Sequence, residues 1–303
     1  MGTVAFVFPG QGAQIPGMGK SVYDNSPAAK AVFDAADAVR PGTSVQCFEG
    51  TPEELKITAN TQCCLYVTEL ALAAALKEAD IKADVCAGFS LGELSALAFA
   101  GAMDTDTGLR LVMERGTLMQ QDAEKSDTFM AAVIRLEEEK VRELCAKYEG
   151  LYPVNFNGGG QISVAGAASS QDAFCEDVKA AGGRAMLLKV SGAFHSPYMQ
   201  EASDAFAAVI DAQSFESPVI PVYSDTTSLP YEGNVADTLK QQIIHPVLWE
   251  QIIKNMIAAG VDTFVEVGPG KTLTGLIKRI DENVKTLRMS EFEDLAQLKE
   301  ELL

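Results

Sequence analysis

One stretch of the chain constrains the fold more than any other. Residues 85–88 are apolar and typical of a buried strand, residues 88–92 read G-x-S-x-G around Ser90, and an alanine- and leucine-rich helical pattern follows. Strand, pentapeptide and helix together form the sequence context of a nucleophile elbow. The flanking glycines remove Cβ atoms that would clash in so sharp a turn, so the pattern predicts a strained serine with an exposed hydroxyl. An ordinary glycine-rich turn is the alternative.

Composition argues against several classes of protein. The chain has 303 residues, enough to bury one large domain or two, and its net charge of −18 disfavours nucleic acid and anionic membranes as partners. No apolar run reaches the roughly 18 residues of a membrane span, and the amino terminus has no basic leader. The six cysteines show no paired or metal-type spacing. We therefore expect a cytoplasmic protein with reduced cysteines and no metal.

The order of the predicted elements indicates an α/β fold with an inserted subdomain. Residues 3–8 read as a buried strand, and the Gly/Gln loop that follows carries Gln11 to the strand end where open α/β sheets bind ligands. Residues 126–190 alternate in the order βαββαβ, the ferredoxin-like arrangement. We predict a large α/β domain with a parallel sheet, formed by residues 1–125 and 191–303, and a ferredoxin-like subdomain of residues 126–190. A ligand cleft is expected between them.

The carboxyl-terminal part of the chain gives three smaller expectations. Residues 219–224 read as a strand, and residues 235–242 read as a helix. The acidic residues between Glu291 and Glu301 are predicted to form solvated surface.

Arg115 occupies the middle of an apolar stripe on the predicted helix of residues 106–124. A cation in such a place is costly unless it is paired. Its partner is either a carboxylate elsewhere in the protein or the carboxylate of a substrate, which a guanidinium can bind through two hydrogen bonds. The pattern alone favours the internal ion pair.

A serine nucleophile needs a neighbouring base, and the chain has only two histidines. His245 precedes Pro246 at a predicted helix end, where an imidazole can cap carbonyls. His195 lies in a Gly/Ser/Pro loop at the predicted domain junction, and catalytic groups favour loops on a rigid scaffold. We therefore predict that His195 is the base.

Together these motifs resemble a known family. The chain is similar to the malonyl-CoA:acyl-carrier-protein transacylases of type II fatty-acid synthesis, which are related to the acyltransferase domains of polyketide synthases. That family has a hydrolase-like α/β domain with a ferredoxin-like insert. The motifs that carry the resemblance are residues 8–14, 88–93, 114–116, 192–196, 242–249 and 266–270.

The resemblance implies a ping-pong acyl transfer. Ser90, deprotonated by His195, would attack malonyl-CoA and release coenzyme A, leaving a malonyl ester. The phosphopantetheine thiol of acyl carrier protein would then accept the malonyl group. The backbone N–H groups of Gln11 and Leu91 correspond to the family's oxyanion hole.

Two further positions match family residues that bind or orient. Arg115 matches the arginine that binds the free malonyl carboxylate, which reverses the preference for an internal ion pair. Gln242 matches the residue whose backbone carbonyl orients the histidine. The resemblance implies no metal, no cofactor and a monomer, with malonyl-CoA and acyl carrier protein as partners and fatty-acid or polyketide synthesis as the pathway.

The chain departs from the commonest family pattern at Phe89, Cys63 and Asp225, where His, Pro and Asn are usual. None of these removes a catalytic group. Two other functions stay open from the residues: a G-x-S-x-G serine hydrolase, and a non-catalytic domain that binds acyl carrier protein.

Docking of an acidic carrier protein on this acidic chain requires a local basic patch. The candidates are Arg184, Lys189, Lys271, Lys278 and Arg279.

Overall fold

The computed structural model describes residues 2–190 and 192–303. Met1 and Ser191, the predicted first residues of the two segments of the large domain, lie outside the described residues. The strands are β1 (Thr3–Phe8), β2 (Val85–Gly88), β3 (Thr128–Ile134), β4 (Tyr152–Gly158), β5 (Gln161–Ala167), β6 (Arg184–Leu187), β7 (Val222–Tyr223), β8 (Val261–Val267) and β9 (Lys285–Met289).

The helices surround two sheets. They are α1 (Lys20–Asn25), α2 (Pro27–Val39), α3 (Thr43–Glu49), α4 (Thr58–Glu78), α5 (Leu91–Phe99), α6 (Thr105–Ala123), α7 (Glu138–Cys145), α8 (Gln171–Ala180), α9 (Gln200–Asp211), α10 (Val235–Leu239), α11 (Trp249–Ala258), α12 (Thr272–Ile280) and α13 (Asp294–Leu302). Short 3₁₀ turns occupy Glu54–Lys56, Ala168–Ser170, Pro197–Met199 and Gln242–Ile244.

The larger sheet is parallel, with the strand order β7-β2-β1-β8-β9. Side chains along β1 alternate between two cores: Phe6 and Phe8 pack on one face, whereas Ala5 and Val7 pack on the other with Trp249. Helices therefore cover both faces, which explains why β1 reads as a continuous apolar run. The α/β class with a parallel sheet and a separate small sheet is confirmed.

The smaller sheet is antiparallel, with the order β4-β5-β3-β6, and it lies within the predicted segment 126–190. It has a core of its own, in which α7 and α8 bury Val141, Phe174 and Val178. The division into two domains stays a prediction. Strand β4 also joins the rest of the fold, because the Phe156 N–H donates to the Val247 carbonyl at 2.9 Å.

Two expectations for the carboxyl-terminal part need correction. The strand predicted over residues 219–224 is reduced to β7, because prolines at 218 and 221 cannot donate to a sheet ladder. The helix predicted over residues 235–242 ends at Leu239, before the 3₁₀ turn at Gln242–Ile244. The acidic residues between Glu291 and Glu301 are exposed or half-buried, as expected, and α13 buries only the apolar Leu295 and Leu298.

Close backbone approach dictates the two glycines of the turn between β2 and α5. A Cβ on Gly88 would lie 1.8 Å from the carbonyl carbon of Gly92, and one on Gly92 would lie 2.1 Å from the Phe8 carbonyl oxygen. Phe8 pairs with Gly88 in the parallel register. The missing side chains thus let α5 begin directly against the carboxyl ends of β1 and β2.

Gly92→Ala is expected to destabilise the fold by at least about 1–3 kcal/mol, because its Cβ would overlap immobile backbone. Gly275→Ala is the matched control: Gly275 also lies in a helix, and nothing lies within 4 Å of its added Cβ. This control should stabilise the protein by about 0.4–1 kcal/mol. Urea unfolding measures both, and an unchanged midpoint for Gly92→Ala would contradict the steric argument.

Candidate active site

Ser90 lies between β2 and α5 in a strained backbone conformation. Its φ is 55° and its ψ is −105°, a combination that a residue with a side chain rarely adopts. The Ser90 N–H donates to Asp225 Oδ2 at 2.6 Å, and the preceding Phe89 N–H donates to the Phe8 carbonyl at 2.9 Å. The turn is therefore held from both sides, as a nucleophile elbow requires.

His195 contacts the serine hydroxyl directly, with 2.7 Å between Ser90 Oγ and His195 Nε2. His195 Nδ1 lies 3.1 Å from the carbonyl oxygens of both Gln242 and His245. Because a carbonyl can only accept, Nδ1 carries the hydrogen and Nε2 is free to accept the serine proton. The His245 ring is exposed and bonds to the Gln241 carbonyl at 2.8 Å instead.

The environment of His195 favours its neutral form. Burial, together with the smaller effect of the Arg115 charge, lowers the pKa of the imidazole to about 4. At neutral pH the ring is therefore uncharged and can take a proton from Ser90.

Arg115 is 1% exposed on α6 and is held by neutral groups. Its Nη1 donates to Gln62 Oε1 at 2.7 Å, and its Nη2 donates to Gln242 Oε1 at 2.8 Å and to Ser90 Oγ at 3.2 Å. Nε is buried without a partner among residues 2–190 and 192–303. Burial lowers the pKa of Arg115 to about 10, so the group is still a cation at neutral pH.

The internal ion pair that the stripe pattern alone favours is not present. None of the ion pairs among the described residues involves Arg115. The carboxyls of Asp225 and Glu93 act on it through space. A buried guanidinium with an unpartnered Nε is suited to bind an anion that enters from outside.

The Gln242 side chain connects Arg115 and Ser90 to the buried Glu93. Its Nε2 donates to the Ser90 carbonyl at 2.7 Å and to Glu93 Oε2 at 2.5 Å. The sequence analysis missed the contacts made by Gln62 and Glu93. Each of these two polar residues lies inside an apolar helical run, a signal that could have marked the residue but not its partners.

One cavity of about 250 Å³ contains the predicted site residues Gln11, Ser90, Leu91, Arg115 and His195 in its wall. Gln242 lies behind that wall. Leu91 is the first residue of α5, where backbone N–H groups have no acceptor within the helix. The opposite wall comes from the small sheet, and its residues include Met130, Ala132, Asn155, Asn157, Gln161 and Ser163.

Two other kinds of feature are absent from the described residues. No group of three or more His, Cys, Asp or Glu side chains there could hold a metal ion. No helix in the same part of the chain is long and apolar enough to cross a membrane.

Comparisons with known proteins identify the family. The model of the acyl transferase domain matches residues 5–294, so the chain belongs to the acyl transferase family. The malonyl CoA-acyl carrier protein transacylase of Bacillus subtilis (strain 168) is 38% identical, covering 97% of this chain and 96% of the relative. The Escherichia coli (strain K12) protein of the same name is 36% identical, covering 95% and 96%.

Solved structures agree with the sequence matches. The malonyl CoA-acyl carrier protein transacylase of Clostridium perfringens superposes with a TM-score of 0.96 at 34% identity, covering 99% of this chain and 97% of that one. A malonyl-transacylase in complex with a type II PKS acyl-carrier protein gives 0.95 at 32% identity, covering 99% of each chain. The resemblance to malonyl-CoA:acyl-carrier-protein transacylases is confirmed.

Labelling of Ser90 by a fluorophosphonate should follow the neutral form of His195. With a pKa lowered to about 4, the base stays unprotonated above that pH, so the labelling rate should fall near pH 4 rather than near 6.5. His195→Ala should slow labelling at least about a hundredfold. Circular dichroism at each pH verifies that the protein is folded, and a midpoint near 6.5 in folded protein would contradict the assignment.

Proposed function

We propose that this chain transfers a malonyl group from malonyl-CoA to the phosphopantetheine thiol of acyl carrier protein. The observation that carries the proposal is the buried Arg115 cation, which contacts no carboxylate of residues 2–190 and 192–303 and whose Nη2 lies 3.2 Å from Ser90 Oγ. The relatives of the chain are named as transacylases for these two partners. The proposed pathway is fatty-acid or polyketide synthesis, and the polyketide alternative is supported by the neighbour in complex with a type II PKS acyl-carrier protein.

In the first half-reaction Ser90 acts as the nucleophile. His195 Nε2 takes the hydroxyl proton while Oγ attacks the thioester carbonyl of malonyl-CoA. The backbone N–H groups of Gln11 and Leu91 are proposed to stabilise the resulting oxyanion. The intermediate then collapses: the carbon–sulfur bond breaks, coenzyme A leaves with the proton from His195, and a malonyl ester remains on Ser90.

In the second half-reaction the thiol of the carrier protein enters the site that coenzyme A has left. His195 removes the thiol proton, the sulfur attacks the malonyl ester, and Ser90 leaves with that proton. Both half-reactions are completed by groups of the chain and of its substrates, without a resident cofactor. The Gln242 and His245 carbonyls would keep Nδ1 protonated throughout, so no acid is needed as third member of the triad.

The arrangement around Arg115 favours this function over a neutral-ester hydrolase. Gln62 and Gln242 fix the guanidinium with neutral amide oxygens, so no negative charge is in direct contact with it among the described residues. A carboxylate-bearing acyl group on Ser90 would supply the missing negative charge. A carrier-binding domain without catalysis would have no use for the 2.7 Å contact between serine and histidine.

Intact-protein mass spectrometry after brief incubation with malonyl-CoA tests the proposal. A malonyl adduct on the native chain, absent from Ser90→Ala, is the expected result. Free coenzyme A without an adduct would indicate a hydrolase. No adduct and no turnover would indicate a binding protein, and either of these outcomes rejects the proposal.

Arg115→Ala should reduce kcat/KM for malonyl-CoA by about 10- to 100-fold, the loss of one or two charge-assisted hydrogen bonds. Acylation by acetyl-CoA should not fall, because acetyl has no carboxylate. Arg110→Ala is the matched control, since Arg110 is an exposed arginine on the same helix. Equal losses with both acyl groups would show that Arg115 does not recognise the carboxylate.

Carrier docking is proposed to use exposed cations beside the cavity. Lys189 lies between the wall residues Leu188 and Val190, Lys271 precedes the wall residue Thr272, and Arg279 donates to Gln161 at 2.9 Å. Lys278 is less suitable, because it donates to the Glu282 and Val284 carbonyls. Arg184, the first residue of β6, stays a candidate.

Reversing both Lys189 and Arg279 to Glu should raise the KM for carrier protein about tenfold at low salt, with the KM for malonyl-CoA less affected. Lys82→Glu is the control, because exposed Lys82 precedes the amino-terminal end of β2, whereas Ser90 follows its carboxyl end. Steady-state transfer assays at low and high salt measure the effect. An unchanged carrier KM at low salt would remove these cations from the docking surface.

A further inference from the structure

Two buried carboxyls, Glu93 and Asp225, lie beneath the nucleophile, at 0% and 1% exposure. Glu93 is well supplied with donors. Its Oε1 accepts from the Asp225 N–H at 3.1 Å and from the Tyr231 hydroxyl at 2.6 Å, and its Oε2 accepts from Gln242 Nε2 at 2.5 Å. Burial raises the pKa of Glu93, and its three donors oppose that rise because they stabilise the charged carboxylate.

Asp225 has much weaker support for a negative charge. Its Oδ2 accepts the Ser90 N–H at 2.6 Å, with Gln242 Nε2 at a longer 3.4 Å. Its Oδ1 is buried without a partner among the described residues, a costly state for a carboxylate oxygen. Burial raises the pKa of Asp225 well above its usual range, and the neighbouring Glu93 raises this pKa further.

The other titratable groups around the pair fix the local charge. Arg115 on α6 is the cation that acts on both carboxyls. His195 is neutral above about pH 4, and burial raises the pKa of Tyr231, which keeps that phenol neutral. The cluster therefore carries no net charge with one ionised carboxyl and a net charge of −1 with two.

We propose that Glu93 and Asp225 hold one proton between them, and that this proton keeps the Arg115 site free to bind an anionic acyl group. The proposal rests on the proposed function of Arg115. Neither carboxyl is in the wall of the cavity, so both are positioning residues that act through Gln242, Arg115 and the Ser90 backbone.

The physical reason is the order in which charges enter the cavity. If both carboxyls were ionised, they would already neutralise Arg115 and leave excess negative charge before the substrate arrived. An incoming carboxylate would then be repelled in a buried site where screening is weak. With one proton in the pair, the substrate carboxylate meets a neutral cluster whose cation faces the cavity.

Infrared difference spectroscopy of the free protein tests the shared proton. The spectrum of the native chain minus that of Asp225→Asn should show the carbonyl band of a protonated carboxyl at neutral pH. Native minus Glu93→Gln should show it too, because either variant leaves one carboxyl that ionises near Arg115. Glu69, another buried carboxyl, contributes equally to each spectrum and cancels. Absence of the band from both differences overturns the proposal.

Kinetics then test the consequence for binding. In the native chain the KM for malonyl-CoA, relative to that of Asp225→Asn, should rise about tenfold through the pH at which the band is lost, with a smaller effect on kcat. If the band persists at the highest pH, this KM ratio should stay constant. Loss of the band without a rise in the KM ratio, or a rise in the ratio without loss of the band, overturns the proposal. A role in packing alone would not link these two changes.

The two arms separate the possible failures. The infrared band is measured without substrate, so it can be present even if Ser90 is never acylated, which would reject only the proposed function. If Glu93→Gln does not fold, Asp225→Asn alone supplies the difference spectrum. An asparagine side chain has nearly the same shape as aspartate, so this variant is expected to fold.

Discussion

The rest of this structure depends on one buried cation, Arg115, which contacts no carboxylate of the described residues. Burying a charge costs free energy unless hydrogen bonds and an opposite charge compensate it. Arg115 donates hydrogen bonds to the side-chain oxygens of Gln62, Gln242 and Ser90, but it forms no ion pair among the described residues. Its unpartnered Nε adds to the cost. The fold thus holds a cation whose directly contacting negative charge is best supplied by the acyl group.

Backbone strain is the second feature of the site, and packing holds it in place. Ser90 and His195 both have positive φ, 55° and 59°, which costs about 1–3 kcal/mol for each residue. Around Ser90, the close approach of Gly92 to the Phe8 carbonyl and the hydrogen bond to Asp225 leave little freedom. His195 is fixed by two carbonyl acceptors. The result is a serine and a base already aligned before substrate binds.

Local signals in the sequence predicted most of the fold and the reacting groups. The elbow, the parallel sheet, the small antiparallel sheet and the choice of His195 over His245 all follow from short patterns. The strand expected over residues 219–224 is longer than the observed β7, because Pro221 within it and Pro218 before it cannot donate to a sheet ladder. The contacts of Glu93 with Asp225 and Tyr231 join residues 132 and 138 positions apart, and no short pattern encodes such pairs.

A crystal structure of Ser90→Ala with bound malonyl-CoA would test the central claim most directly. The account predicts that the malonyl carboxylate lies within hydrogen-bond distance of the Arg115 guanidinium and includes Nε among its partners. The thioester carbonyl should point towards the N–H groups of Gln11 and Leu91. A carboxylate bound elsewhere, with Arg115 still held only by Gln62 and Gln242, would contradict the claim that the buried cation is there to bind the acyl group.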